Sequence, residues 1–323
     1  MALEKSEIQA ITDDYCDKKT TDIFAVDNVL LYMLMSGGKF QDSLVTAGEL
    51  VDGGEKIRVI LEYARTNTGS YGNTTKIPQS KVQILNAARF GWAGAYAANA
   101  IDLDDQVQNT GDAALVDMVQ AKISNIQKTI RDTMGAGVYA SAADAKSILG
   151  LGNLFQAADP SIAYGSIATG DMAKWAANND DTGGEITYKI MQAIRRTAKV
   201  GQSAGKKPNL YITTDTLKDG FERTLQANVR FRNEKMVDAG FDNVLFGGAP
   251  VVADDRQASG YMDALNLNYL MLKTHSKYQF TKPKWEYSKD QPDTLVANTR
   301  WVGQLCTSHR SAHARYTGLS EPS

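Results

Sequence analysis

The sequence predicts an α+β protein with mixed sheets. Three observations predict it. Residues 57–64 and 301–306 alternate with period 2, as half-buried strands do. Residues 112–134 carry one apolar stripe at helical spacing. Past residue 150, short apolar runs, glycines and amphipathic segments take turns, a pattern of short strands interleaved with helices.

The first fifty residues read as an arm. Apolar fragments alternate there with "DD", "DKKTTD" and "SGG", and only 23–35 is apolar enough to pack firmly. The glycine pairs at 37–38 and 53–54 bracket a hinge zone. In "EKIRVILEYAR", Ile57, Val59, Leu61 and Tyr63 fall on one face. A polar stretch, "RTNTGSYGNTTKIPQSK" from Arg65 to Lys81, separates this strand from "KVQILNAARFGW", where Val82, Ile84, Phe90 and Trp92 suggest a second. The pair predicts a long antiparallel hairpin. Its tip expects positive φ at Gly69 and Gly72, with Pro78 denying an edge donor. A two-stranded hairpin is marginal in water, so its apolar face needs cover from outside, which points to a partner.

From Asp112 the stripe Leu115, Val119, Ile123, Ile126, Ile130 and Met134 predicts a helix of about 35 Å. Asp112 caps its start, and Gly135 and Gly137 are expected to stop it. Further on, "EITYKIMQAIRRTAKVG" at 185–201 predicts a helix with Ile186, Ile190 and Ile194 on one side. Residues 209–213 predict a buried strand running into a helix near Asp215. "DNVLFGGAPVVADDR" predicts strand, turn, strand, and "ALNLNYLMLKTH" one further strand. In the tail, Trp301, Gly303 and Leu305 face one way and Val302, Gln304 and Cys306 the other.

The 323 residues, 43% hydrophobic and 22% charged, suffice for one large domain or two ordinary ones with real cores. A formal net charge of −2 argues against a dense basic surface for nucleic acid. No basic-then-apolar leader opens the sequence, and no apolar run reaches the roughly 18 residues of a membrane helix. The expectation is a soluble protein of a reducing cytoplasm. Cys16 and Cys306 are expected to pack as small hydrophobes.

Motifs for chemistry are missing. "GSYGNTTK" has the wrong spacing for a phosphate loop. The histidines are His275, His309 and His313. "HRSAH" would set two imidazoles a helical turn apart, but no acidic ligand is near, so both are expected at the surface. The "DD" pairs at 13–14, 104–105, 180–181 and 254–255 lack a calcium-loop pattern and read as turns. No nucleophile signature occurs, and neither a metal nor any other cofactor is expected.

Taken in order, "IRVILEYARTNTGSYGNTTKIPQSKVQIL", then "DLDDQVQNTGDAALVDMVQAKISNIQKTIRDTMGAGVY", then "PNLYITTDTLKDGFERTL", "FGGAPVVADD", "LNLNYLMLKTH" and "TRWVGQLCTSHRSAHARYTGL" resemble the major capsid proteins of tailed bacteriophages. The resemblance implies the Hong Kong 97-type phage capsid fold. It implies an N-terminal arm at 1–50 and an extension-loop hairpin at 51–100. A peripheral domain with a spine helix would follow at 101–147, an axial domain at 148–275, and return strands of the peripheral domain at 276–323. Arg65, Tyr71, Lys76 and Ile77 are then expected to touch the adjacent subunit. Leu115, Val119, Ile123, Ile126 and Ile130 would form the buried stripe of the spine helix. Some members of the family cross-link a loop lysine to a neighbour's asparagine. Lys76 and Lys81 lie in the loop, but no residue is assigned a catalytic role.

The implied protein is structural rather than an enzyme. It would self-assemble into pentamers and hexamers of an icosahedral virion shell, built in the host bacterial cytoplasm around double-stranded DNA that it touches non-specifically. Scaffolding, portal and decoration proteins are the further partners the resemblance implies, and no membrane is. Two other readings compete with it: an encapsulin-like compartment shell, and a metal-dependent cytoplasmic enzyme using His309 and His313.

Overall fold

The computed structural model describes residues 28–35, 50–73, 76–77, 80–102, 112–142, 144–156, 162–168, 172, 175–225, 243–281, 283–291 and 293–322. Most of the expected arm, Cys16, the glycine pair at 37–38, Pro78 and the Asp pairs at 13–14 and 104–105 lie outside them.

Two sheets organise the chain. The first has five strands: β1 (Leu50–Val51), β4 (Ala93–Ile101), β13 (Leu270–His275), β14 (Glu286–Tyr287) and β15 (Leu295–Thr307). β15 is its axis. β4 pairs along one edge from Ala93↔Gly303 to Ile101↔Leu295, while β13 and β14 share the other edge. The long helix α2 (Asp112–Tyr139) packs on β4 and β15. α1 (Val29–Met35) lies against α2 and β13.

The second sheet has six strands in the order β10-β11-β9-β12-β16-β7: β7 is Asn178–Asp180, β9 Leu210–Thr213, β10 Asn243–Phe246, β11 Ala249–Ala253, β12 Met262–Leu265 and β16 Ala314–Tyr316. Two helices, α4 (Tyr188–Thr197) and α5 (Asp215–Thr224), bury Met191, Ile194, Leu217 and Phe221 in this sheet's core. A short helix α3 (Leu151–Leu154) precedes them. Thr187 caps α4 by accepting the Ile190 N–H. Phe246 centres the layer, edge-on to the rings of Tyr188, Tyr211 and Phe221 at 5.4, 5.7 and 5.8 Å. The β10–β11 turn uses Gly247 at φ 59° and Gly248 at φ 88°. Two successive left-handed residues match the right-handed twist of the strands they join, and glycine takes them without strain.

Four expectations change here. The long helix runs through Gly135 and Gly137 to Tyr139 instead of stopping. A Cβ on Gly135 would lie 2.9 Å from Asn28 Nδ2, so this glycine admits a close neighbour rather than ending the helix. "ALNLNYLMLKTH" is two strands, not one: β12 belongs to the six-stranded sheet and β13 to the five-stranded. The Asn266 side chain makes the break, donating to the carbonyls of Gly205 and Lys207 and accepting from Asn268 N–H. The sheets also divide the chain differently from the boundaries drawn at 100 and 275, since β4 and β13 share one sheet while β16 joins the other. Finally, the second hairpin strand starts at Leu85. Val82 and Ile84 precede its ladder, and Trp92 follows it, donating to Gly54 O at 2.7 Å.

Candidate subunit-contact surface and the joint between the sheets

The hairpin pairs β2 (Ile57–Glu62) with β3 (Leu85–Phe90), from Ile57↔Phe90 to Glu62↔Leu85. Its two faces differ. Ile57, Val59, Leu61, Ala88 and Phe90 are buried. The cover expected from a partner comes instead from the chain itself: β15 lies against β2, and the small hairpin of β5 (Ala163–Tyr164) and β6 (Ile167–Ala168) lies against β3. Arg89 N–H donates to Gly165 O at 2.7 Å, and the Phe90 and Tyr164 rings meet at 5.3 Å. Gly165 sits so close that a Cβ would lie 2.9 Å from the Phe90 ring, which explains why a near neighbour can seal this face. The other face keeps Ile60 74% and Leu85 54% exposed, beside Arg58 and Arg89.

Beyond Tyr63, whose N–H donates to Ile84 O, the ladder stops and the strands separate into a wide tip. Asn67 bridges it by donating to Ser80 O and Oγ. Gly69 does not take a positive φ, against expectation. Of the four contact residues expected, Arg65 pairs with Glu62 at 3.0 Å in water, Lys76 is exposed, and Tyr71 and Ile77 are 75% and 68% exposed. On α2, Val119, Ile123, Ile126 and Ile130 are buried; Leu115 lies in the helix, with its side chain outside the described ones.

Where the two sheets meet, many polar groups are buried; most have partners, while Asn28 Nδ2, Asn209 Nδ2 and the Tyr164 hydroxyl have none among the described residues. Asp263 and Arg315, paired across β12 and β16, make a bidentate ion pair with both contacts at 2.7 Å. Gln257 Nε2 adds a third bond to the carboxylate, and the guanidinium lies over the Phe155 and Tyr261 rings. Burial opposes the Arg315 charge, but Asp263 outweighs it and holds the group above its ordinary value. Arg310 is buried, and among the described residues no carboxylate pairs with it. It donates to the carbonyls of Asn153, Leu154, Gln156 and Trp175, closing the end of α3, and it stacks over Tyr164. Burial lowers its pKa to about 10.

Asp254 accepts the Val29 N–H at 3.0 Å, the Tyr139 hydroxyl at 2.8 Å and the Arg256 N–H, so one carboxylate joins α1, the end of α2 and the loop after β11. Burial first, and then the Asp254 charge, push the Tyr139 phenol up. The expectation that residues 254–255 form only a turn misses this.

His313 also departs from expectation, being fully buried. Its Nδ1 accepts Asn266 N–H at 3.2 Å, and Nε2 meets Thr307 Oγ1 at 3.1 Å. Burial, with a smaller contribution from His309, drops its pKa to about 3. Residues 310–312 form a 3₁₀ turn, so the two histidines do not share an α-helical face. Among the described residues no group of histidines, cysteines and carboxylates could hold a metal. Cys306 is buried in the core, its thiol directed at Gln304 O at 3.7 Å. A groove of about 820 Å³ between β4, β15 and the end of α2 is lined by Trp92, Tyr96, Trp301, Arg300, Lys146 and Asp144. In it the Ser147 hydroxyl donates to Asp144 Oδ1 at 2.9 Å, a bond within one local turn whose carboxylate also accepts the Lys146 N–H. Asp263, Arg310, Asp254 and His313 have partners 47 to 225 residues away, which local sequence reading does not reach.

No protein-family model and no curated protein matches the sequence. Solved structures do match. The subunit of the cyanophage A-1(L) capsid asymmetric unit is 16% identical, with 92% of this chain and 94% of that one aligned at a TM-score of 0.67. A Mycobacterium phage Patience chain is 11% identical, with 98% and 89% covered at 0.54. The capsid of the myovirus XM1 is 11% identical, with 94% and 92% covered at 0.53. This chain carries the Hong Kong 97-type capsid fold of tailed phages.

Proposed function

We propose that this chain is the major capsid protein of a tailed bacteriophage, a structural subunit that assembles into pentamers and hexamers of an icosahedral shell around double-stranded DNA. The observation that carries the reading is the likeness to the cyanophage capsid subunit over nearly the whole length of both chains. The exposed tip supports it. Tyr71 and Ile77 stand out in water on a loop beyond the paired part of the hairpin, where a copy of the chain can cover them. Arg65 and Lys76 would flank that contact. The five-stranded sheet with α2 would be the peripheral domain and α2 its spine helix. The six-stranded sheet with α4 and α5 would be the axial domain. Assembly in the host cytoplasm, a virion location and partners for scaffolding, portal and decoration follow from the same reading. Among the described residues no helix is long and apolar enough to cross a membrane.

The purified chain is expected to form megadalton particles or capsomers on size exclusion, visible by negative stain. A stable monomer whose hairpin amides all resist hydrogen exchange would overturn the reading. Replacing 67–79 by a two-residue turn should leave the subunit folded and impair assembly.

A further inference from the structure

In a chain of formal net charge −2, the stretch from Ile186 to Thr214 holds Lys189, Arg195, Arg196, Lys199, Lys206 and Lys207 and no Asp or Glu. The fold puts much of this charge on one line. Met191 and Ile194 turn α4 toward its sheet, so Lys189, Gln192 and Arg196, at spacings of three and four, run along its outward side, and Lys199 follows just past the helix end, its N–H donating to Arg196 O. Lys189, Gln192 and Arg196 are exposed and Lys199 is half-buried. None of the three cations is ion-paired among the described residues. The Lys206 stem folds over Gly201, bringing a fourth cation near the C-terminal end of the row. Asp180 is the carboxylate that neighbours Arg196 at Tyr316, and its Oδ1 already accepts from the Thr182 N–H and hydroxyl. On the same sheet α5 mixes signs, with Asp215, Asp219 and Glu222 beside Lys218 and Arg223.

We infer that this row is a sequence-independent contact for the phosphate backbone of duplex DNA. The inference rests on the capsid reading for the presence of DNA. From Lys189 to Arg196 the row extends about 10 Å along the helix, and a duplex presents one charge per about 1.7 Å of its axis, so each cation can find a phosphate without registering on bases. A contact with another copy of the chain would favour aromatic anchors and few lysines at its centre. Here the exposed ring next to the row, Tyr188, already leans edge-on against Phe246.

The test measures anisotropy of a labelled mixed-sequence duplex with the full chain across a salt series. Lys189→Gln/Arg196→Gln/Lys199→Gln should lower the slope of log K against log salt by about 2.7. The control, Lys277→Gln/Lys284→Gln/Lys289→Gln, removes three exposed lysines elsewhere and should leave the slope unchanged. An unchanged slope in the first variant, or equal losses in both, overturns the inference. So does a first variant that fails to assemble without DNA while the parent chain assembles, since the row would then be a contact between copies. If the triple variant unfolds by circular dichroism, Lys189→Gln alone should cost about 0.9 of slope, and no loss overturns the inference. A parent chain that forms no particles but loses slope in the row variant would sink the capsid reading and leave the DNA contact standing.

Discussion

Arg65 at the hairpin tip and Arg315 at the joint each pair with a carboxylate, at 3.0 and 2.7 Å, but the environments are opposite. The Arg65 and Glu62 side chains are 88% and 53% exposed, those of Arg315 and Asp263 10% and 0%. In water an ion pair contributes little, since solvent and salt screen it. Inside the protein, losing one member strands a charge with nothing to replace it. The difference teaches where each region's stability comes from. The joint is closed by groups within the chain, whereas the tip leaves its apolar residues uncovered.

The largest expected effect breaks the joint. Arg315→Met should destabilise the subunit by about 3–5 kcal/mol, read by denaturant unfolding, because Asp263 remains buried and charged. Adding Asp263→Leu should recover most of that loss. If Arg315→Met unfolds like the parent, the joint does not depend on the pair.

A comparable effect separates the two faces of the hairpin base. Phe90→Ala, on the sealed face, should cost about 3–5 kcal/mol. Ile60→Ser, on the open face, should change stability by no more than about 0.5 kcal/mol. Equal costs would mean that the chain covers both faces.

The next test uses pH. His313 has its folded pKa pushed down to about 3 against an ordinary 6.5, so between these values the unfolded chain binds the proton that the folded one refuses. Stability is therefore full above about 6.5 and falls as pH drops toward 3, by at most about 1.4 kcal/mol per pH unit from this group. His313→Gln should flatten the dependence between pH 6.5 and 4, above the range where depressed carboxylates such as Asp144 and Asp180 begin to protonate.

The smallest effect on the monomer belongs to the tip. Tyr71→Ser with Ile77→Ser should shift unfolding by no more than about 0.5 kcal/mol, yet reduce particle yield on size exclusion. A large loss of monomer stability would mean the tip packs on its own chain.

These contrasts track what could be read from sequence. The α2 stripe and the Ile57, Val59 and Leu61 alternation were legible because burial there repeats with the local period. The Gly-Gly turn between β10 and β11 was legible because only certain residues fit its φ angles. The joint was not. "LNLNYLML" has no local mark of a sheet change, since the break depends on Asn266 reaching Gly205 and Lys207. His313 looked like a surface residue until the backbone of a distant strand end donated to it. The hairpin's sealed face was misassigned to a partner for the same reason, its cover coming from β15 and residues 163–168. At the tip, exposure was legible in the polar composition, but the bridge from Asn67 to Ser80 was not.

The backbone passes from the six-stranded sheet to the five-stranded one at 266–269 and returns after Thr307 through the turn that ends at His313. Two covalent crossings side by side behave as a double tether rather than a swivel. The crossings also meet through the Ser308 N–H and the Thr307 hydroxyl, both donating to Tyr269 O, so the two sheets are expected to unfold together and a calorimeter should record a single peak for the subunit. Any reshaping of a shell built from it would then fall to the contacts between copies.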